Sequence, residues 1–285
     1  MAENILISPA QLEQMASSLP TVIIDTRSPD AYAAGHIPGA VNLHDIFTFL
    51  ATSSKEGMAE LSSKFAEAFG NAGLSGEEIA VIYEESMDSG FGQSCRGYFL
   101  LQFLGYKKAV VLHGGYQAWL AEELPTTTDV PSPEPKTFAI DESAASIMLT
   151  QDDMLASLDQ DEVVKLDVRD VDEWVGTSSS PYGVDFCPRK GRIPGAVWLE
   201  WYRMMKPGEE VPVFKTKEEL QAECETVGIK SDTPVYLYCF KGARASNTFI
   251  ALKEAGVKDV RMYFGSWNEW SRDPELPIEE GHQNW

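Results

Sequence analysis

A lone cysteine stands in the run Tyr236-Leu237-Tyr238-Cys239-Phe240-Lys241-Gly242-Ala243-Arg244, between an apolar stretch and a glycine bend flanked by two cations. These residue types in this order suit a nucleophilic thiolate. The sulfur is the nucleophile, the loop's backbone N–H groups can curl around it, and Lys241 and Arg244 add positive potential. The flanking sequence must hold that loop in place. Thr233 to Tyr238 reads as a buried strand, and Arg244 to Ala255, with Phe249, Ile250 and Leu252, reads as an amphipathic helix that Gly256 ends. The positive end of the helix dipole then falls at the sulfur and favours thiolate over thiol.

The loop resembles the active-site loop of the rhodanese sulfurtransferases, in which a cysteine at the end of a parallel strand carries sulfur as a persulfide. Other segments carry the same resemblance. Val164-Lys165-Leu166-Asp167-Val168-Arg169 is similar to the family's strand ending in Asp-x-Arg, and Gly191-Arg192-Ile193-Pro194-Gly195-Ala196 to its Gly-His-Ile-Pro-Gly-Ala element. Phe264-Gly265-Ser266-Trp267-Asn268-Glu269-Trp270 resembles its closing Gly-Gly-x-x-x-Trp turn. All three markers recur earlier, in Ile23-Ile24-Asp25-Thr26-Arg27, Gly35-His36-Ile37-Pro38-Gly39-Ala40 and His113-Gly114-Gly115-Tyr116-Gln117-Ala118-Trp119. A repeated order of markers defines two homologous halves. The resemblance implies a tandem α/β protein of two rhodanese-like domains, each a parallel sheet with helices on both faces. The boundaries fall at 1–124 for a non-catalytic domain, 125–140 for a proline- and threonine-rich linker, and 141–285 for the catalytic domain.

Composition bounds the setting. A chain of 285 residues, 44% hydrophobic, is long enough for two ordinary cores. No apolar run approaches the ~20 residues that cross a bilayer, and Met1-Ala2-Glu3-Asn4 lacks the stretch of a signal peptide, so a cytoplasmic protein without a membrane partner is expected. Cys95, Cys187, Cys224 and Cys239 have no Cys-x-x-Cys spacing and are too sparse for a disulfide framework. A net charge of -21 argues against nucleic acid as a ligand.

Aligning Ala80–Tyr83 with Val235–Tyr238 sets Glu84 opposite Cys239, so the first half carries a carboxylate where the second carries its sulfur. The first half is therefore expected to be inactive, and the resemblance to tandem rhodaneses implies that it packs against the catalytic half and shapes its cleft. Cys95 lies beside Arg96 near a helix start, where a lowered pKa is conceivable, but a packed small residue accounts for it better. Cys224 falls in line with Leu220 and Val227 at helical spacing and reads as core. Cys187 lies in an insertion between Arg169 and Ile193, longer than its counterpart in the first half, which gathers Arg189, Lys190 and Arg192. That insertion either folds over the cleft and supplies Arg189 and Arg192 to an anionic donor or forms a solvated brace between the halves. Asp25, Arg27, Asp167 and Arg169 read as ion pairs that fix loops, and Trp119, Trp267 and Trp270 as packing residues.

The resemblance implies a mechanism. Cys239 takes the outer sulfur of a small anionic donor such as thiosulfate, and backbone N–H groups from Phe240 through Lys241, Gly242 and Ala243 to Arg244 hold the persulfide. Cyanide, a cellular thiol or a sulfur-accepting protein then removes it, with no metal or organic cofactor. Two further readings stay open, a 3-mercaptopyruvate sulfurtransferase and a non-enzymatic sulfur-carrier or interaction module. Lys241 leans toward thiosulfate, because relatives that prefer 3-mercaptopyruvate carry a small uncharged residue there. Where two-domain relatives place a donor-binding arginine after Asp-x-Arg, this chain has Glu173, which would repel thiosulfate unless the insertion compensates or the donor differs. Rhodanese-like phosphatases use a loop one residue longer than the four residues between Cys239 and Arg244. A cysteine protease or metal site is disfavoured because His36, His44 and His113 lie in the first half and His282 in the C-terminal tail, so that no motif places a histidine beside Cys239 and no metal-ligand spacing arises.

Overall fold

The computed structural model describes residues 4–280. Contacts divide the chain into two compact units: residues up to Phe49 with Ala59–Ala145 and Met205–Phe214, and Leu50–Met58 with Ser146–Met204 and the residues from Lys215 onward. The first unit holds strands β1 (Leu6–Ile7), β2 (Thr21–Asp25), β3 (Val41–Asn42), β4 (Ile79–Tyr83) and β5 (Ala109–Leu112). The second holds β6 (Met148–Leu149), β7 (Val164–Asp167) and β8 (Val197–Trp198); after the antiparallel pair β9 (Met205–Lys206) and β10 (Val213–Phe214) it continues with β11 (Val235–Tyr238) and β12 (Val260–Tyr263).

The sheets follow one plan. Strand order is β1-β5-β4-β2-β3 in one and β6-β12-β11-β7-β8 in the other, and every pairing within both is parallel. The central strands, β4 and β11, are near-continuous apolar runs, as strands covered on both faces must be. Helices of the first half are α1 (Pro9–Ser18), α2 (Pro29–Ala34), α3 (Asp45–Thr48), α4 (Lys55–Asn71), of which the residues up to Met58 group with the second unit, α5 (Gln93–Phe103) and α6 (Gly115–Ala121). Those after residue 150 are α7 (Gln151–Ala156), α8 (Val171–Trp174), α9 (Lys217–Glu225), α10 (Ala243–Ala255) and α11 (Ser266–Trp270). Serine, threonine or aspartate caps several of them; the capping boxes Thr150/Asp153, Asp170/Glu173 and Thr216/Glu219 each satisfy two backbone donors.

Two elements depart from the sequence-based expectation. Helix α10 starts at Ala243 and is buried on all sides from Ala243 to Leu252, not amphipathic. Its polar residues turn inward at no cost in unpaired hydroxyls: Ser246 Oγ donates to the Gly242 carbonyl at 2.6 Å and Thr248 Oγ1 to that of Arg244 at 3.4 Å. The segment 125–140 has no regular structure, yet it is tied to the first unit. Thr127 bridges His36, Lys136 N–H donates to the Gly70 carbonyl at 2.9 Å, and the buried Phe138 ring lies 5.4 Å from Tyr106. Cys224, in line with Leu220 on α9, is buried as its spacing predicts.

Candidate active site

Cys239 follows the last residue of the central strand β11, at the carboxyl end where parallel α/β sheets place their ligands. The strand end is locked from below. Tyr238 donates its hydroxyl to Asp167 Oδ2 at 2.7 Å and accepts the Ile193 N–H at 3.1 Å. Arg169 grips the same carboxylate through Nε at 3.0 Å and Nη2 at 2.6 Å, reaches the Gly191 carbonyl at 2.8 Å, and lies 4.6 Å from the centre of the Trp267 ring. Asp167 and Arg169 thus fix strand ends and turns, as an ion pair buried at 0% exposure must if its charges are to be compensated.

The loop above is held by α11. Cys239 N–H donates to Ser266 Oγ at 3.2 Å, and that hydroxyl donates to the Tyr263 carbonyl at 2.9 Å. The carbonyls of Cys239 and Phe240 accept the N–H groups of Trp267 and Asn268, each at 3.0 Å. Ser266 reaches this position only with φ at 55°, a left-handed conformation in a non-glycine residue, and its two hydrogen bonds offset that strain. Cys239 is 1% exposed, and its sulfur accepts the Gly242 N–H at 3.1 Å. Gly242 caps α10 with φ at 89°, and a Cβ there would meet the Phe264 ring at 2.9 Å, so no other residue fits without moving the loop. The sulfur thus sits at the N-terminus of α10, whose first-turn N–H groups have no acceptor within the helix.

The two cations of the loop differ in environment. Lys241 Nζ lies 5.4 Å from the centre of the Tyr182 ring. Arg244 is buried and paired: its guanidinium contacts Glu173 Oε2 at 2.6 Å and Oε1 at 3.1 Å, and Asp170 Oδ1 at 3.0 Å. Burial alone would lower its pKa; the Glu173 carboxylate more than offsets this and holds the guanidinium charged. Sequence reading treated Arg244 and Glu173 separately and missed their pairing. The capping-box spacing Asp170-x-x-Glu173 was the available signal that these carboxylates belong to a helix start.

The insertion places its aromatic residues at the loop and its arginines elsewhere. Phe240, buried, packs against Tyr182 at 4.9 Å between ring centres and Phe186 at 6.4 Å, both of which remain partly exposed. Arg189 and Arg192, for which the sequence leaves open a donor-binding role or a brace, are engaged with the protein's own carbonyls, a ring and a carboxylate. Arg189 gives Nε to the Ser271 carbonyl at 3.0 Å, Nη1 to that of Leu276 at 2.8 Å, and Nη2 to those of Trp270 at 2.8 Å and of Asp273. It caps the C-terminal end of α11, where carbonyls lack partners. Arg192, 1% exposed, covers the Trp174 ring at 4.5 Å and pairs with Glu279 at 3.3 Å. Cys187 is buried in the core cluster that includes Tyr238, Phe240 and Trp267, and burial pushes its thiol up.

The first unit repeats the construction with other chemistry. Tyr83 donates to Asp25 at 2.5 Å, Arg27 grips Asp25 and the Gly35 carbonyl, and Glu84 and Glu85 accept the N–H groups of Tyr116 and Gln117 at 2.8 and 3.0 Å. Glu84 therefore occupies the place of Cys239, as the alignment of the halves predicted. Its carboxylate lies at the start of α5, accepting the Ser94 N–H at 3.1 Å, and burial pushes its pKa up to about 8 against the pull of that donor. Cys95 is fully buried; burial, then the neighbouring Glu84, raises its thiol well above the usual range, so the lowered pKa conceivable from sequence is not found. Among the described residues no group of His, Cys, Asp and Glu side chains could hold a metal ion, and no helix is long and apolar enough to cross a membrane.

Known proteins share this pattern. A sequence profile of the rhodanese-like domain matches residues 8–122 and again 150–273. The chain is 30% identical to a thiosulfate sulfurtransferase of Azotobacter vinelandii over 96% of its own length and 97% of the relative's. It is 30% identical to the sulfur carrier protein TtuD of Thermus thermophilus over 88% of each chain. Among solved structures, an anaerobic ergothioneine biosynthesis enzyme from Chlorobium limicola, in complex with trimethyl histidine as natural substrate, superposes with a TM-score of 0.83. It shares 25% identity and aligns over 98% of this chain and 71% of that one.

Proposed function

We propose, from the premise that the chain belongs to the rhodanese family in both its halves, that it is a sulfurtransferase carrying sulfane sulfur on Cys239. One observation carries the reading: the Cys239 sulfur accepts the Gly242 N–H at 3.1 Å at the N-terminus of α10. That position suits an anionic sulfur, because the helix end offers backbone donors already aimed and costs no rearrangement when charge arrives. The thiolate attacks the outer sulfur of thiosulfate, the S–S bond of the donor breaks, and sulfite leaves with the bonding pair. The persulfide so formed keeps one negative charge on its terminal sulfur, within reach of the loop donors. Cyanide or a thiol then takes that sulfur and restores the thiolate, a double displacement with ping-pong kinetics.

The acceptor class follows from the lip of the site. Tyr182 and Phe186, 48% and 39% exposed, stand over Phe240 beside the nucleophile, which favours an acceptor with an apolar body, a thiol or a sulfur-accepting protein, over cyanide alone. The four cysteines are free and buried, which suits a reducing compartment, and we place the protein in the cytoplasm on that ground. The test is thiocyanate formation from thiosulfate and cyanide by the wild type and Cys239→Ala, with 3-mercaptopyruvate as donor in parallel. Turnover by the wild type that disappears in the variant supports the reading, and turnover that survives in the variant contradicts it.

A further inference from the structure

Arg244 is the guanidinium nearest in sequence to the sulfur loop, and its charge is already answered. Glu173, 2% exposed, contacts it at 2.6 and 3.1 Å, and Asp170 adds a second carboxylate at 3.0 Å. A third, Glu200, lies within electrostatic reach of both Asp170 and Arg244, and burial followed by the Asp170 charge raises its pKa, as crowded carboxylates require. The arginines of the insertion do not restore the balance. Arg189 is spent on four backbone carbonyls and Arg192 is paired with Glu279 over Trp174. A donor reaching Cys239 therefore meets backbone dipoles and Lys241, with an acidic group of residues behind Arg244.

We propose that Glu173, assisted by Asp170, sets the donor class: by neutralising Arg244 it turns the site toward sulfane donors that carry less negative charge than thiosulfate, protonated hydropersulfides among them, and away from the thiosulfate dianion. This rests on the reading that Cys239 carries the sulfur. With a hydropersulfide, the Cys239 thiolate attacks the terminal sulfur of R–S–SH, a new S–S bond forms, the old one breaks, and the thiolate R–S⁻ leaves with the bonding pair while the proton stays on the transferred sulfur. Total charge in that encounter is lower than with thiosulfate, where a dianion must approach a thiolate while Arg244 is already shared between two carboxylates. Glu173 acts here as a positioning and specificity-determining residue, since it touches Arg244 rather than the donor.

The test compares thiosulfate with benzenethiosulfonate, which offers the same kind of sulfane sulfur at one charge fewer. Steady-state kcat and KM are measured with both donors on the full chain for the wild type, Glu173→Gln and Asp170→Asn, with mass-spectrometric persulfide loading of Cys239 as a check on each site. In the wild type, kcat/KM for benzenethiosulfonate should exceed that for thiosulfate by about tenfold or more. Glu173→Gln keeps the shape of the side chain and removes its charge, so it should lower KM for thiosulfate by about tenfold at nearly constant kcat and move the monoanionic donor by no more than about threefold, as expected when one charge meets two. Asp170→Asn, at a half-exposed position, should act in the same direction with smaller size. Equal changes for both donors, a loss in kcat alone, or a wild-type preference for thiosulfate would overturn the proposal while leaving Cys239 as the carrier. Turnover that persists in Cys239→Ala, or a wild type inactive with both donors, would overturn the underlying reading and the proposal with it.

Discussion

Replacing Glu84 by Gln should make the first unit more stable at neutral and alkaline pH and should flatten its dependence on pH. The carboxylate is fully buried at the start of α5, where burial raises its pKa from 4.5 in the unfolded chain to about 8 despite the Ser94 N–H. Between those values the native state holds a proton that the unfolded state has released. Stability contributed by this site is therefore greatest below pH ~4.5, falls as pH rises, and levels off above pH ~8. The shift from 4.5 to about 8 corresponds, at 1.36 kcal/mol per unit, to an upper bound of about 5 kcal/mol. Glutamine keeps the size and one acceptor and cannot ionise, so most of that loss should vanish. Native-state hydrogen exchange of peptides covering β4 and α5, at pH 5.5 and 8 and corrected for intrinsic rates, reads the first unit by itself. The wild type should lose at least about 2 kcal/mol of protection over this range and the variant under about 0.5 kcal/mol, with sulfur transfer by Cys239 retained. Parallel profiles for the two proteins would show that Glu84 does not titrate in this range.

Gly242→Ala should raise the energy of the sulfur loop by about 1–2 kcal/mol, because φ stays at 89° and the new Cβ meets the Phe264 ring at 2.9 Å; kcat should fall with both donors, read in steady-state kinetics. Arg189→Ala removes the guanidinium from four carbonyls at the end of α11 and should cost about 1–3 kcal/mol in urea denaturation, while KM for thiosulfate stays within about twofold. A large rise in that KM would return Arg189 to the donor site. Asp167→Asn leaves Arg169 buried without its counter-charge and Tyr238 without a charged acceptor, so a loss of about 3–5 kcal/mol is expected in the same assay.

What the sequence revealed was what its local spacing could carry. The repeated Asp-x-Arg strands and closing turns fixed two sheets of one topology, and the alignment of Glu84 with Cys239 is matched by the N–H groups of Tyr116 and Trp267 that their carbonyls accept. Gly242 and Gly256 were readable because each has a positive φ that glycine adopts without strain. Charged and polar residues whose partners lie far along the chain were not readable. Arg189 and Arg192 looked like donor-binding cations because nothing local consumes them; carbonyls from Trp174 to Leu276 and the Glu279 carboxylate do. Ser246, Asn247 and Thr248 made α10 look half exposed, whereas all three are buried. The Glu173–Arg244 contact joins residues 71 positions apart and could be seen only once α8 and α10 were placed.

The claim that Cys239 is the sulfur carrier is tested most directly by intact-mass and peptide mass spectrometry of the wild type after brief exposure to thiosulfate and removal of excess donor. One added sulfur atom, located on the peptide containing Cys239 and lost on addition of cyanide, is the expected result. Added sulfur on Cys95, Cys187 or Cys224 with Cys239 unmodified would contradict it.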